Sequence, residues 1–478
     1  MAAFVASLFH AMVVANLLRG PVRRAFSFAT WQPVAVPSAM PPMTHIVILG
    51  CGFGGLEAAR GLARADVKIT LIDRSNHHLF QPLLYQVATA GLSGPAIAAP
   101  IRHILARQRN LTTLMGSVTS VDVSRRMVQL NDGATIPYDY LIVATGSTHS
   151  YFGNDQWAEV APGLKTLGDA FEIRRRILMS FEHAERELDE EARAPWLTFA
   201  VVGAGATGVE MAGTMTEIGQ YTLNGEYRRI DSRKARVVLI EGSDRVLPPY
   251  PPDLSEKARK QLERLGVEVR TGCRVTAIDR DGVTFTSANG EERLNAKTVI
   301  WSAGVAASPI GKTLGVELDR AGRVPVGPDL TIAGHPEVYV IGDLAAARSD
   351  GEPVPGVSPA AKQMGRTAAR NILLHMRGKP PETFRYKDYG SLATIGRKSA
   401  VAKVGNIKFS GLPAWLFWLF VHVYFLIGFR SRLMVLTDWA WAYFTFKRNA
   451  RLVVGTDDEP DALEAGAAAH RRRASQEA

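Results

Sequence analysis

The apolar residues of this chain are concentrated in short uninterrupted runs, and several of these runs lead into a glycine-rich turn. Residues 45–50 (HIVILG) and 197–203 (LTFAVVG) do not alternate with polar positions, which is typical of parallel strands buried on both faces. Residues 67–73 (VKITLID) and 235–241 (ARVVLIE) repeat the pattern, and each ends on an acid. The pattern predicts two copies of a strand–turn–helix–strand unit, and therefore an α/β fold.

The first glycine-rich turn has the spacing of a dinucleotide-binding loop. It stands between the run at 45–50 and a helical stretch at 56–62. In such a loop the first glycine allows the tight turn, the second lets backbone approach a pyrophosphate, and the third lets the helix pack on the strand. The acid that ends the next run can accept hydrogen bonds from a ribose diol. The candidate binding residues of this unit are Gly50, Gly52, Gly54, Gly55 and Asp73.

The second unit repeats this arrangement and predicts a second nucleotide. Its acid, Glu241, lies 33 residues after Gly208, against about 20 in the usual motif. The polar stretch 221–234 accounts for the surplus as an extended helix end or a surface loop. A carboxylate here favours NADH over NADPH because it would repel a 2′-phosphate, whereas nearby Arg245 would suit one. The candidate binding residues of this unit are Gly203, Gly205, Gly208 and Glu241.

Composition narrows the chemistry of two bound nucleotides. Two nicotinamides would leave no electron carrier between them, so we expect one nucleotide to be FAD. The 478 residues include only two cysteines, Cys51 and Cys273, which excludes a disulfide scaffold, a cysteine-built metal site and a Cys-x-x-Cys redox pair. The net charge of +10 suits phosphates, anionic lipid or nucleic acid. Apart from this charge nothing indicates nucleic-acid binding, and no metal site is predicted.

Three further motifs make the chain similar to the two-dinucleotide-domain flavoproteins. Residues 143–146 (VATG) and 302–304 (SAG) stand where that superfamily ends its first FAD segment and its nicotinamide domain. Residues 339–343 (YVIGD) resemble the strand whose terminal aspartate hydrogen-bonds the flavin ribityl chain. The resemblance implies further cofactor contacts by Ala144, Thr145, Gly146, Ala303, Gly304, Gly342 and Asp343.

Within that superfamily the chain resembles the type II NADH:quinone oxidoreductases. The segments 76–88, 169–174 and 411–454 carry this similarity, and the lack of paired thiols excludes dithiol reductases and sulfide:quinone reductases. The resemblance implies hydride transfer from NADH to FAD, followed by reduction of a membrane quinone without proton pumping. Two alternatives remain open: a soluble NADH-dependent reductase of an iron–sulfur protein, and a non-enzymatic, redox-responsive binding protein.

The same resemblance suggests the residues that meet the quinone. The family motif A-Q-x-A-x-Q aligns with residues 358–363 (SPAAKQ), where Ala361 and Gln363 match but Ser358 and Pro359 do not. We therefore expect the quinone to reach Ala361 and Gln363, the alternative being a plain helix start over the flavin ring. Glu172 is the candidate proton shuttle for quinol formation. Its alternative role is an ion pair with Arg175 or Arg176 at helical spacing.

The C-terminal region is unusually aromatic. Between Trp415 and Phe446 lie 12 of the chain's 39 aromatic residues, in two apolar runs each followed by basic residues. This composition favours two helices lying in a membrane interface, with aromatics at headgroup depth and arginines near lipid phosphates. A buried cover, a dimer seam and a transmembrane hairpin are the alternatives. We expect a peripheral enzyme on the cytoplasmic face of a bacterial-type inner membrane, and a homodimer.

Together these features predict two Rossmann-like dinucleotide-binding domains, with the NADH domain inserted into the FAD domain, followed by a membrane-associating helical segment. An acid-free leader precedes the first strand and suggests a mis-assigned start or a disordered segment, with an organellar signal as the alternative. The expected division is leader 1–42, FAD domain 43–164 and 302–378, NADH domain 165–301, C-terminal membrane or dimer segment 379–455, and disordered tail 456–478.

Overall fold

A computed structural model describes residues 43–448 and 450–453 of the chain. The predictions for the leader at 1–42 and for the tail at 456–478 lie outside these residues.

Two parallel sheets form the frame of the described chain. The strands at His45–Leu49, Lys68–Asp73, Thr198–Val202 and Arg236–Ile240 begin within a residue of the apolar runs that predicted them, since continuous Val, Ile and Leu suit a sheet covered on both faces. The strands are β1 (His45–Leu49), β2 (Lys68–Asp73), β3 (Leu111–Met115), β4 (Tyr140–Val143), β5 (Thr198–Val202), β6 (Arg236–Ile240), β7 (Val267–Arg270), β8 (Thr298–Trp301), β9 (Thr331–Ile332) and β10 (His335–Val340).

The two sheets repeat one strand order. The first runs β9-β10-β4-β1-β2-β3 and the second β7-β6-β5-β8, so β3-β2-β1-β4 corresponds to β7-β6-β5-β8. All pairs are parallel except β9 with β10. The second sheet falls between β4 and β9 in the chain, so one nucleotide-binding unit interrupts the other. The predicted fold class is confirmed.

Helices and smaller antiparallel sheets complete the architecture. The helices are α1 (Phe53–Gly61), α2 (Leu84–Ala88), α3 (Gly94–Ile97), α4 (Ile101–Ile104), α5 (Leu167–Arg186), α6 (Glu190–Arg193), α7 (Ala206–Glu217), α8 (Pro252–Leu265), α9 (Ser358–His375), α10 (Leu412–Phe425) and α11 (Phe429–Thr445). The three-stranded sheets comprise Val118–Asp122, Met127–Leu130 and Thr135–Pro137; Arg274–Asp279, Gly282–Ser287 and Gly290–Asn295; and Ser391–Gly396, Ser399–Val404 and Ile407–Ser410. The two-stranded sheets pair His77–Leu79 with Ala98–Pro100, Ser147–His149 with Val305–Ala307, Val324–Pro325 with Ala345–Ala346, and Arg348–Ser349 with Glu352–Pro353.

The polar stretch at residues 221–234, before β6, does not extend α7 as a regular α-helix. α7 ends in a single π-helical turn at Ile218–Thr222, and a short 3-10 turn at Ser232–Lys234 precedes the strand. The loop between them is held by Glu185, whose carboxylate accepts from the backbone N–H groups of Arg228, Arg229 and Ile230. Of the two expectations for residues 221–234, the surface loop is therefore the better description.

α1 and α9 pack closely because small residues line their contact. A Cβ at Gly365 would overlap the carbonyl oxygen of Gly54, and one at Gly61 would lie 2.8 Å from the Cβ of Ala369. Gly54 is thus a packing residue as well as part of the loop. Its backbone meets α9 where that helix passes the nucleotide-binding loop.

The C-terminal helices contact both nucleotide-binding units: α11 packs on α3 of the first, and Trp439 of α11 donates to Gln86 of α2. Trp418 of α10 and Val435 of α11 are fully buried, and both belong to the hydrophobic cluster that contains α7. Arg448 donates to Glu217 at the end of α7 over 3.0 Å, and Glu217 also accepts from the Arg397 backbone over 2.6 Å. Among the described residues, no helix combines the length and apolarity needed to cross a bilayer.

We predict that Gly365→Ala lowers the free energy of unfolding by about 1–3 kcal/mol, because its methyl group would force α1 and α9 apart. Chemical denaturation of the purified protein measures this. Gly168→Ala is the matched control: it lies in the first turn of α5, where an added Cβ meets only an ordinary 3.6 Å contact, and should be neutral or slightly stabilising. Equal stability of both variants would contradict the proposed close contact.

Candidate functional site

The two glycine loops have nearly the same backbone geometry. Gly50 and Gly203 have φ angles of 92° and 97°, a left-handed conformation that side chains disfavour. A Cβ at Gly55 would overlap the carbonyl oxygen of Gly50, and a Cβ at Gly208 would overlap that of Gly203. The first and third glycines of each motif are therefore required by turn and by helix–strand packing.

The middle glycines leave the space that a pyrophosphate needs. A Cβ at Gly52 or Gly205 would meet nothing within 4 Å, so each position opens onto a hollow. These residues are the N-caps of α1 and α7, and neither helix has a side chain capping its first turn. Uncapped N–H groups and the helix dipole favour an anion at this place. Both hollows therefore fit a dinucleotide pyrophosphate.

The carboxylates of Asp73 and Glu241, at the ends of β2 and β6, hydrogen-bond the backbone of the two glycine loops. Asp73 accepts from the backbone N–H of Cys51 over 2.6 Å and from Ser75 over 2.7 Å. Glu241 accepts from Ala204 over 2.6 Å and from Ser243 over 2.8 Å. Each carboxylate thus lies beside its glycine loop, where the motif places a ribose.

Arg245, the residue that could have suited a 2′-phosphate, has a different partner. Its guanidinium donates to the Pro248 carbonyl over 3.1 Å. The contact engages one end of the side chain and leaves Glu241 as the charged group attached to the loop. This arrangement favours a nucleotide with a free 2′-hydroxyl.

Residues 143–146 and 302–304, at the ends of β4 and β8, lie directly against the two glycine loops. A Cβ at Gly50 would lie 2.5 Å from the carbonyl oxygen of Ala144, and one at Gly203 would lie 2.5 Å from the Cα of Ala303. The buried Thr145 hydroxyl has no hydrogen-bond partner among the described residues, which fits a site built for a ligand. Gly146, in the left-handed region at φ 67°, and Gly304, beside the Phe152 ring, belong to the same two segments.

A cavity of about 260 Å³ has most of its wall between Gly342 and Met364, and one of the residues there, Ala361, also lies against Gly54 of the first loop. Asp343, Gly342 and Ala361 all line it. Asp343 accepts from the Ser147 hydroxyl over 2.8 Å. The expected position of Asp343 needs one correction: β10 ends at Val340, and Asp343 lies in the following 3-10 turn, where Gly342 with φ 72° redirects the chain.

Gln363 does not face the cavity with a free amide. Its side chain donates to the Lys387 carbonyl and accepts from the Lys387 N–H, each over 2.9 Å. This pair of bonds ties α9 to the segment leading into the C-terminal sheet. Ala361 is brought to the cavity, whereas Gln363 is held by backbone 24 residues away.

Lys362, between these two residues, is a group that sequence reasoning missed. Its ammonium lies 5.1 Å from the centre of the Phe53 ring and 4.8 Å from that of Phe425. Phe53 begins α1 beside the first glycine loop, and Phe425 ends α10. The available signal was a cation inside an otherwise uncharged helix start at residues 358–363.

Glu172 lies in α5 between two arginines. Its carboxylate accepts from Arg175 over 2.9 Å and from Arg176 over 2.6 Å, and these contacts lower its pKa against the opposing effect of burial. The ion-pair interpretation is confirmed. The proton-shuttle role stays a prediction, and a carboxyl kept ionised by two guanidinium groups is a poor proton donor.

A second acid, Glu210, has the opposite environment. It lies in α7 two residues after the last glycine of the motif, and burial raises its pKa well above the ordinary value. Tyr85 packs nearby and accepts from Gln86 over 2.9 Å, and Gln86 accepts from the indole of Trp439 in α11 over 2.7 Å. The signal in the sequence was a glutamate on the helix face that must pack inward after Gly208.

Comparisons with known proteins agree with this architecture. The family model described as pyridine nucleotide-disulphide oxidoreductase matches residues 44–365, and the NDH2 C-terminal domain matches residues 389–449. Both cysteines of this chain are buried and unpaired, and burial raises the pKa of the Cys51 thiol, so no disulphide chemistry accompanies the first match.

Two curated relatives come from Mycobacterium tuberculosis. The type II NADH:quinone oxidoreductase Ndh is 49% identical over 429 residues, covering 87% of this chain and 92% of that protein. The type II NADH:quinone oxidoreductase NdhA is 47% identical, covering 85% and 88%.

A solved structure has the same fold. NDH2 from Plasmodium falciparum in complex with NADH superposes with a TM-score of 0.79, at 21% identity, over 87% of this chain and 100% of that one. Because the matches extend through both nucleotide-binding units and the C-terminal segment, this chain belongs to the type II NADH:quinone oxidoreductase family.

Proposed function

We propose that this protein oxidises NADH through a bound FAD and delivers two electrons to a quinone at a membrane surface, without pumping protons. The observation that carries the proposal is the pair of matching open glycine loops in one chain, of which the first lies against Ala361 in the wall of the cavity. We assign FAD to residues 43–164 and 302–378, NADH to residues 165–301, and the membrane contact to residues 379–455.

The protein residues supply binding and orientation in this reaction. The open positions at Gly52 and Gly205 and the first turns of α1 and α7 hold the two pyrophosphates. Asp73 and Glu241 orient the riboses, and Asp343 orients the ribityl chain. When bound, FAD supplies the ability to accept a hydride and release its two electrons to a quinone.

We place the quinone headgroup beside Lys362, near Ala361. The Lys362 ammonium lies between a ring of the flavin-binding loop and a ring of α10, so it lies between the two regions the substrate must connect. Among the described residues no carboxylate lies within ion-pair distance of it. An ammonium with unused donors can hydrogen-bond a quinone carbonyl oxygen as that oxygen gains negative charge. Gln363, held by Lys387, fixes the helix that presents Lys362.

Quinol formation also requires two protons, and Glu210 is better suited than Glu172 to hold one. Burial raises the pKa of Glu210 and so favours its protonated form, whereas two arginine contacts lower the pKa of Glu172 and favour its ionised form. Glu210 packs near Tyr85, which connects through Gln86 to Trp439 of the C-terminal helix. These two hydrogen bonds link Tyr85, beside Glu210, to the C-terminal helix.

The C-terminal helices present an apolar surface for the membrane. The exposed side chains on this surface include Leu416, Phe420, Tyr424, Phe425, Phe429, Trp441 and Phe444. Arg430 is exposed beside them, whereas Arg432 caps α10 by donating to the carbonyls of Tyr424 and Leu426. Such a surface suits an interfacial plane. We further predict that the protein binds the cytoplasmic face of the membrane. We also predict a homodimer, in which a second copy covers part of this surface.

The nucleotide assignment has a direct test. The purified protein should be yellow from bound flavin and should oxidise NADH rapidly with a short-chain quinone and no protein acceptor. Glu241→Gln should raise the ratio of kcat/KM for NADPH to that for NADH about tenfold or more, because like charges a few ångströms apart near a surface cost about 4 kcal/mol.

The control for this substitution is Glu263→Gln, an exposed change in α8 of the same unit, which should leave the ratio unchanged. A colourless protein would overturn the flavin assignment. Turnover only with an added iron–sulfur protein would favour the soluble reductase, and no turnover at all would favour the non-enzymatic alternative.

The quinone site is tested by comparing Lys362→Met with Glu172→Gln. We expect Lys362→Met to raise KM for quinone about tenfold while KM for NADH stays constant, since a hydrogen bond from a charged group contributes about 1.5–3 kcal/mol. Lys362→Arg should restore part of the affinity, and the exposed Lys379→Met should have no effect. Glu172→Gln should leave quinone reduction within about twofold of the original rate. A selective loss of quinone reduction in Glu172→Gln would restore the shuttle role to Glu172.

Membrane binding is tested with the double substitution Phe420→Ser and Phe444→Ser, at side chains that are 55% and 74% exposed. Binding to anionic vesicles should weaken at least about tenfold, because each fully buried phenylalanine contributes about 1.5–3 kcal/mol. Vesicle flotation measures the bound fraction. Leu188→Ser, 75% exposed beyond the end of α5, is the control and should bind like the unchanged protein. Undiminished binding of the double variant would exclude this surface.

A further inference from the structure

Lys165 is a half-buried lysine that lines the cavity next to Ala361 and has no place in the mechanism above. It precedes α5, in the stretch where the chain passes from the first nucleotide-binding unit into the second. Its backbone is fixed by the N-terminal cap of that helix: Asp169 accepts from the N–H groups of Lys165 over 2.9 Å and Thr166 over 2.8 Å. The position of its side chain is therefore set by a rigid helix end.

Two hydrogen bonds connect the Lys165 ammonium to Asp343 in the wall of the cavity. It donates to the Ser147 hydroxyl over 2.9 Å, and that hydroxyl donates to Asp343 over 2.8 Å. Ser147 and Asp343 line the same cavity. Lys165 and Asp343, joined through Ser147, therefore line the same cavity.

No direct ion pair neutralises this charge. Among the described residues no carboxylate lies within 4.0 Å of the Lys165 ammonium, and Asp343, one hydroxyl away, offsets only part of the effect of burial on the pKa of Lys165. Burial lowers the pKa of Lys165, which shows that the ammonium is partly desolvated. A desolvated cation without a contacting anion is costly unless the bound ligand offsets the cost.

The chemistry of the cavity indicates what that ligand contributes. In the reaction, the C4–H bond of NADH breaks, its electron pair and hydrogen pass to the oxidised flavin, and NADH leaves as NAD⁺. When bound, FAD would supply a neutral acceptor, which would carry one added negative charge after this transfer until it is protonated. A fixed positive charge in the same low-dielectric cavity stabilises this form more than the neutral one.

We propose that Lys165, held through Ser147 and Asp343, is a positioning residue that raises the reduction potential of the bound flavin. This rests on the proposed function, since it assumes that the cavity holds FAD reduced by NADH. It adds a determinant that neither glycine motif encodes. The residue acts on the electron affinity of the cofactor, whereas the loops act on its retention.

The test is the midpoint potential of the protein-bound flavin, measured by reductive titration against a reference dye, alongside the flavin content. Lys165→Met should retain flavin but bind its reduced form at least tenfold less well relative to its oxidised form. For a two-electron couple this is a fall of about 30 mV. Lys165→Arg should stay near the original potential, and the exposed Lys257→Met in α8 should not change it.

Ser147→Ala provides a second arm if Lys165→Met does not retain flavin. Removing the hydroxyl leaves the charge but releases it from Asp343, so the potential should fall by less than in the methionine variant. An unchanged potential in a flavin-bound Lys165→Met or Ser147→Ala protein overturns the inference, even where stability falls. Failure of the proposed function is distinguishable, because the unchanged protein would then lack flavin or fail to oxidise NADH.

Discussion

The structure depends on two points where a helix must approach a strand so closely that only glycine fits. At each, a side chain on the third glycine of the motif would occupy the carbonyl oxygen of the first. This contact sets the start of α1 and of α7, and hence the direction in which their first N–H groups point. Asp73 and Glu241 then hold the two loops from the neighbouring strands. The positions of both nucleotides follow from this repeated constraint.

The C-terminal helices α10 and α11 are fixed to that frame by polar contacts as well as by packing. Arg397 donates to the carbonyls of Ala442 and Tyr443 at the end of α11 while its backbone bonds Glu217. Glu217 also pairs with Arg448, and both side chains are largely buried. A buried pair of this kind adds little net stability but is costly to break, so it favours one arrangement over others.

Sequence reasoning succeeds where a property is encoded locally. Continuous apolar runs predicted four strands, two in each sheet, and glycine spacing predicted the loops, because each depends on a few consecutive residues. It was less informative where a residue's partner lies far along the chain. Gln363 is held by Lys387, and the cavity next to Ala361 includes Lys165, almost two hundred residues earlier. Glu172 and Glu210 are both helical glutamates that the sequence does not distinguish, yet arginine contacts lower the pKa of Glu172 and burial raises that of Glu210.

The distribution of unpaired charge along the electron path has a common physical reason. Most arginines and lysines with nearby acids form surface ion pairs, as Arg259 does with Glu256 and Glu263. Lys165 and Lys362 instead contact a hydroxyl and two aromatic rings, which stabilise a cation without cancelling its field. In the proposed reaction, a carboxylate in contact with either lysine would reduce the positive potential at the flavin or at the quinone. In the proposed reaction, both lysines therefore keep a positive charge available to groups that become negative only as the electrons arrive.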